Sequence, residues 1–410
     1  MAKRNPTPLP FLDSLDNIEE WPIAKDCLST EFTQDLNAVK DFLYQYRGSQ
    51  ATFDVYRREM ERILQWCWRI QLTPLLALKR ADIEHYLDFC QKPPQSWIGT
   101  KHEFRTCFLK GEKVPNKRWR PFLAKVGKAE RQQGEEPDKK QYRLSSAGMS
   151  DIFKVLHSFY QSCLQEEKLL ANPVALIRQK SKYIRQQQTK STVRRLSKEQ
   201  WETCLAIAQA RAETDPDAYA RNVFILSALY YLYLRISELI ASDRWAPQMN
   251  HFYQDSQKRW WFKTVGKGNK ERDIAVSQEM LKALKAYRRY RGLSPVLPPP
   301  NDDTPLLHSL RGEEWITSRG VIQRAVQTCF DDAMEMLKKQ QQFDEAESLA
   351  HASAHWLRHT GISDDINERK RPLAHVRDDA GHASVVTTDR YNDIELKERH
   401  ASAKSKKSSP

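Results

Sequence analysis

The chain of 410 residues carries 66 lysines and arginines against 53 acids, a formal net charge of +13 at pH 7, and 40% of its residues are apolar. That is enough apolar content for more than one core, and the positive excess points to a polyanion, nucleic acid first. No run of about 18 apolar residues is present, so no membrane-spanning helix and no membrane partner is expected.

Compartment follows from two absences. The seven cysteines are scattered without CxxC spacing, which argues against a zinc site and for reduced thiols. The leading MAKRNPTPLPFLDSLDN has no apolar centre of the kind a signal peptide needs. A cytoplasmic location is expected.

In chain order, residues 1–34 hold Pro6, Pro8, Pro10 and Pro22 with little periodicity and read as an N-terminal arm. Residues 35–177 read as a helical domain. After Ser49 or Thr52 as cap, Tyr56, Met60, Ile63, Leu64 and Cys67 recur at helical spacing. ADIEHYLDFCQ predicts a second helix. A third starts at Ser145 or Ser146, carries Met149, Ile152, Leu156, Phe159 and Tyr160 on one face, and ends before Asn172-Pro173. Residues of about 92–143 interrupt this pattern. There Trp97, Phe104, Trp119 and Phe122 interleave with Lys101, Arg105, Lys117, Arg118 and Arg120. Both an added DNA-reading element and a surface insertion pinned by its aromatics fit that composition.

Residues 178–195, RQKSKYIRQQQTKSTVRR, contain no acid. Lys180, Lys182, Arg185, Arg194 and Arg195 make this a basic interdomain linker suited to a phosphate backbone, or simply a solvated one. A second domain, 196–395, opens at Ser197 with Glu199 and Gln200 in a cap-like arrangement. NVFILSALYYLYLRISELIAS predicts one helix buried on most sides. RWWFKTV and RDIAVS read as hairpin arms joined across GKGNKE. Helices dominate from Gln278, the stretch 338–353 reads as extra charged material, and 396–410 is a tail suited to a short helix on a neighbouring protomer.

The chemistry-bearing residues lie in this second domain. Arg235 sits among Tyr233, Leu234, Ile236 and Leu239, an apolar setting that is costly for a guanidinium unless an anion meets it. Glu238, three residues on, is placed to hold it. Lys267 and Lys270 occupy the hairpin turn, with Arg272 just beyond, where they can reach DNA. His355 and Arg358 share a helical face; His382 follows Arg358 by 24 residues and Tyr391 follows His382 by nine. A metal is not expected, because Arg358 between His355 and His359 would repel a cation and no HExxH is present. Two arginines, two histidines, a lysine and a tyrosine suit phosphodiester transfer. The tyrosine attacks, the arginines stabilise the extra charge of the transition state, and the lysine protonates the leaving oxygen.

LYLRISEL, VGKGNKERDIAV, HWLRHT, AGHAS and TTDRYNDI, in that order, resemble the motifs of the tyrosine recombinase (phage integrase) family. The resemblance implies a mainly α fold with a small antiparallel sheet, a helical core-binding domain, and a tyrosine-recombinase catalytic domain. It implies Tyr391 as the nucleophile of a 3′-phosphotyrosyl link, Arg235 and Arg358 as the phosphate clamp, and Lys267 as general acid. His355 and His382 would assist, and Glu238 would support the first arginine. It further implies site-specific recombination of double-stranded DNA by a homo-tetramer, with DNA-bending accessory proteins as candidate partners and no cofactor. A DNA-binding protein that no longer cuts, and a type IB topoisomerase, are the alternatives on the same fold. The sequence departs from the family at Ala380, where leucine is usual, and in the 123 residues between Arg235 and Arg358.

Overall fold

The computed structural model describes residues 7–15, 30–175, 177, 194–266, 268–309, 312, 314–389 and 391. Lys180, Lys182, Arg185 and Lys267 of the sequence-based candidates, and the 396–410 tail, lie outside the described residues. The chain divides into two compact units, Met1–Thr189 and Lys190–Pro410, each with its own hydrophobic core.

The first unit packs α1 (Thr30–Tyr44), α2 (Gln50–Trp66), α3 (Arg80–Gln91) and α5 (Ser146–Gln165) around Phe42, Ile63, Leu87 and Phe159. Ser145 rather than Ser146 caps α5, accepting from the Gly148 N–H. The 92–143 insertion has structure of its own, including the short helix α4 (Lys128–Gln132). Strand β1 (Ile98–Gly99) pairs in parallel with β4 (Phe122–Leu123). Between them β2 (Thr106–Leu109) and β3 (Glu112–Pro115) form an antiparallel hairpin. Trp97, Trp119 and Phe122 are buried and pin the insertion, whereas Phe104 is exposed.

The second unit is built on α6 (Lys198–Thr214), α7 (Pro216–Tyr231), α9 (Gln278–Tyr290), α10 (Arg319–Lys339) and α12 (Ala354–Asn367). Its antiparallel sheet runs β5 (Phe252–Gln254), β6 (Trp260–Val265), β7 (Glu271–Ala275), with Val265 opposite Glu271 at the turn. Ser197 caps α6 in a reciprocal box with Gln200, as its spacing predicts. The 338–353 stretch is packed into this unit. Within it α11 (Phe343–Ala350) buries Ala346 and Leu349 in the core, and Glu345 accepts hydrogen bonds from Ser197 and Gln200. Among the described residues no helix is long and apolar enough to cross a membrane.

The long apolar run corrects the sequence reading. It is not one helix: α7 stops at Tyr231, Tyr233 takes a left-handed φ of 50°, and Arg235 becomes the N-cap of a short α8 (Ile236–Leu239). The cause is non-local. Helix α12 crosses the end of α7 at Gly361, where an added Cβ would lie 2.0 Å from the Tyr230 carbonyl oxygen. That crossing sets the backbone of residues 232–235 against α12 and turns the Tyr233 carbonyl toward Arg358. We expect Gly361→Ala to destabilise the protein by about 2 kcal/mol or more, since the carbonyl that must move is backbone. Chemical denaturation checks this, and a wild-type midpoint would contradict the crossing.

Candidate active site

Arg358 projects from α12 into the interior and is 2% exposed. Its Nη1 donates to the Tyr233 carbonyl, its Nη2 to the Ala380 carbonyl at 2.5 Å, and Nη2 also meets His382 Nε2 at 3.3 Å. These acceptors are neutral, so they hold the guanidinium without cancelling its charge. Burial, and then repulsion from Arg235, push its pKa down to about 9. It remains a cation at neutral pH, in a place where an anion would relieve it.

Arg235 lies at the surface of the same region with its side chain 31% exposed, less buried than its apolar neighbours imply. Glu238, 1% exposed, accepts from the Arg235 backbone N–H at 2.8 Å and from its Nη1 at 3.1 Å. The same carboxylate takes both Nη1 and Nη2 of Arg272, at 2.8 and 2.9 Å. Burial alone would raise the Glu238 pKa. The hydrogen bonds and charge of Arg272, the Arg235 N–H and the charge of Arg358 outweigh it and hold the carboxyl below its ordinary value. Arg272 is therefore corrected from a DNA contact to a structural one: its remaining Nε donates to the Asp379 carbonyl at 3.0 Å, tying β7 to α13 (Leu373–Ala380). Gly381 ends α13 at φ 62°, and a Cβ there would press on Arg272 at 3.0 Å. The glycine of AGHAS thus serves both the helix stop and this packing.

His382 follows that stop. A guanidinium only donates, so Arg358 makes Nε2 the lone-pair nitrogen, and Nδ1–H donates to Thr388 Oγ1 at 2.9 Å. Burial first, then Arg358 and Arg235, push its pKa down to about 4. Tyr391, 6% exposed, packs with Tyr233, Ile362, Ile366, Val376 and Ala380. Its backbone is fixed by Asn367 Nδ2, which donates to the Tyr391 carbonyl at 2.8 Å. Its ring lies parallel to that of His382, 5.9 Å away.

The sequence reading missed the group nearest the tyrosine hydroxyl. Tyr391 Oη is hydrogen-bonded to Nδ1 of His359, whose pKa burial, then His355, Arg358 and His382, push down to about 4. His359 shares α12 with Arg358, one residue on; its i+4 spacing from His355 is legible in the sequence, where it suggests a metal pair rather than a partner for the tyrosine. His355 is exposed at the start of α12, its ring 4.2 Å from that of His359, and its pKa is lowered by desolvation and by Arg358 and Arg235. Behind the site, Tyr233 and Arg371 share Asp365, and Arg371 also reaches Asp379 at 2.6 Å. This network fixes the turn whose carbonyl holds Arg358.

Arg235, Glu238, Arg358, His382 and Tyr391 thus come together, while Lys267 lies outside the described residues. Lys270 is exposed on the β6–β7 turn and Arg194 is exposed; Arg195 is half-buried with Nη1 on Ser363 Oγ. Of the insertion candidates Lys117 and Arg118 are exposed, but Arg120 donates to the carbonyls of Lys117 and Trp119, both at 2.7 Å, and braces its own loop.

Residues 194–398 match the phage integrase family. Over 252 residues the chain is 23% identical to a tyrosine recombinase XerC of Chlorobaculum parvum, covering 58% of this chain and 66% of that one. It therefore spans just under two thirds of that curated relative's length. In three dimensions it is similar to a XerH site-specific recombinase bound to palindromic difH substrate in a post-cleavage complex. The TM-score is 0.56 at 13% identity, over 99% of this chain and 91% of that one. A pre-cleavage complex of XerH with difH gives 0.52 at 14% identity, over 94% and 92%. At these identities the likeness is one of fold.

The depressed histidines have a measurable consequence. With folded values of about 4 against an ordinary 6.5, His359 and His382 hold fewer protons folded than unfolded in that interval. Their neutral forms are favoured by folding, so stability falls as pH drops from 6.5 toward 4. Melting temperatures across this window are expected to decline less steeply in His359→Gln/His382→Gln than in the wild type. Parallel slopes would show that the two imidazoles are not held neutral.

Proposed function

Because the chain belongs to the phage integrase family, we propose that it is a site-specific recombinase that cuts and rejoins DNA strands through Tyr391. One observation carries this reading at the level of residues: the Tyr391 hydroxyl rests on His359 Nδ1, beside a buried Arg358 whose partners leave its charge uncancelled.

The chemistry follows from those groups. A tyrosine hydroxyl, with an ordinary pKa near 10, needs a base to attack at neutral pH. His359 is neutral and takes the proton as Tyr391 Oη bonds to the scissile phosphorus. The bond from phosphorus to the 5′ oxygen breaks, and that oxygen takes a proton from Lys267. Arg235 and Arg358 hold the non-bridging oxygens, which carry more charge in the transition state than in the diester. His382, braced by Thr388, keeps Arg358 aimed, and His355 stands at the open side of the pocket to hydrogen-bond the phosphate. The 3′-phosphotyrosine keeps the energy of the broken ester, so a 5′-hydroxyl from the partner strand closes the new junction by the reverse steps. Duplex recombination sites, four copies of the chain across two synapsed duplexes, and DNA-bending accessory proteins are the partners, in the cytoplasm. Residues 35–177 serve as the core-binding domain and 196–395 as the catalytic one, with the 178–195 linker, Arg194, Lys117 and Arg118 meeting phosphates. A DNA binder that no longer cuts would have no use for a tyrosine hydroxyl set on a neutral imidazole.

A nicked suicide duplex carrying the site traps the covalent adduct, and Tyr391→Phe is expected to abolish it; adduct in that variant would refute the nucleophile. Arg358→Ala is expected to keep DNA binding and lose cleavage by about 10³-fold or more. His359→Ala is expected to slow single-turnover cleavage by about 10²-fold or more and to move its rate profile toward higher pH. Cleavage at the wild-type rate and pH would remove His359 from the proton path.

A further inference from the structure

The β2–β3 hairpin of the first unit has an unusual surface. Phe108 is 78% exposed, Leu109 62%, and Phe104 at the hairpin root 81%. Single exposed apolar residues are ordinary, but three on one projecting ribbon mark a contact surface.

The ribbon is held stiffly at its root. Arg105 pairs with the fully buried Glu61, donates through Nε to the Leu12 carbonyl at 2.9 Å, and lies over the Trp119 ring at 4.9 Å. Asn116 bridges the two strands: its backbone N–H donates to the Arg105 carbonyl and its Nδ2 to the Phe104 carbonyl, both at 2.8 Å. At the other end the chain reverses in two residues, Lys110 and Gly111, with φ of 53° and 84°. That two-residue turn matches the natural twist of paired strands. Phe108 and Leu109 are adjacent on β2, so they face opposite sides and make both faces of the tip apolar.

Charge says what the tip meets. From Lys101 to Arg120 there are seven lysines and arginines against two acids. Lys101, Lys110, Lys117 and Arg118 are exposed. That local positive excess draws in phosphates. The major groove of B-DNA, roughly 12 Å wide, admits a two-stranded ribbon, and its thymine methyl groups are the apolar features on its floor.

We propose that the β2–β3 hairpin enters the major groove of duplex DNA, with Phe108 and Leu109 against thymine methyls and Lys110, Lys117 and Arg118 on the flanking phosphates. The inference rests on the recombinase reading only in taking duplex DNA as the substrate. It makes the insertion a reader of base composition in the bound duplex.

The test uses the full chain, fluorescence anisotropy, and a labelled A·T-rich duplex made once with thymine and once with uracil. Wild type is expected to bind the uracil duplex several-fold more weakly, because each lost methyl removes an apolar contact. Phe108→Ser/Leu109→Ser is expected to bind both alike, and Phe108→Trp to keep the difference. These side chains are exposed, and equal melting temperatures verify the fold. Lys110→Ala/Lys117→Ala/Arg118→Ala is expected to lower the slope of log affinity against log salt by roughly 2 to 3, about 0.9 per phosphate released. Equal wild-type affinity for the two duplexes, or an unchanged salt slope in the triple variant, overturns the proposal. So does a serine variant that binds DNA normally but fails to self-associate, which would make the occupant a second copy. Wild type that forms the Tyr391 adduct yet ignores the thymine methyls sinks the hairpin alone. Wild type that neither binds duplex nor forms adduct sinks the recombinase reading with it.

Discussion

The second unit turns on one buried carboxylate. Glu238 is almost wholly removed from water and takes hydrogen bonds from Arg235 and Arg272, while Arg358 adds its field from the interior. A lone carboxylate in such a place would be protonated or excluded; it persists because guanidinium groups surround it. The pairing also fixes geometry. Arg272 joins the β6–β7 hairpin to α13 through the Asp379 carbonyl, and Glu238 caps the short helix that begins at Arg235. The segments carrying Arg235 and His382 and the β6–β7 hairpin are therefore located by a single charge.

Three arginines against one carboxylate leave this cluster with excess positive charge, and the way Arg358 is held preserves it. Backbone carbonyls satisfy the donors of a guanidinium but carry only partial charges, so the field remains. Burial first, and then the positive charge of the cluster, push Arg358 down and hold His355, His359 and His382 below their ordinary values. Replacing the Tyr233 or Ala380 carbonyl by an acidic partner would make a more stable arginine and a poorer phosphate site. The family's usual leucine before Gly-His is alanine here, and it is the backbone of Ala380, not its side chain, that touches Arg358. That explains why the substitution leaves the site intact.

Much of this was legible in the sequence, because it depends on local rules. Caps at Ser145 and Ser197, the helical faces of α2 and α5, and the hairpin across GKGNKE are decided within a few residues. The placement of Arg358 on a helix with His355 followed from a spacing of three. What escaped was non-local. The break before Arg235 is imposed by α12 pressing Gly361 on Tyr230, and nothing within LYYLYLRISEL announces it. Arg272 reads as a free cation until Glu238 is seen to be shared. The 338–353 stretch reads as extra charged material because its few apolar residues are spaced for a helix only eight residues long. His359 was hidden for a different reason: it sits beside an arginine that dominates the motif, and only the fold brings Tyr391, 32 residues later, onto its ring.

On the recombinase reading proposed above, the same field keeps Tyr391 in check until a phosphodiester binds. Burial of His359 and the positive charge of its neighbours make it a weak base, so it holds the Tyr391 hydroxyl without removing its proton. A phosphodiester entering between Arg235 and Arg358 brings a negative charge to the centre of that field. The part of the depression that comes from Arg358 is then offset, and the basicity of His359 rises where the attacking oxygen waits. The burial part is untouched, so the imidazole stays neutral until the proton arrives. Under that proposal, binding and activation are coupled through electrostatics.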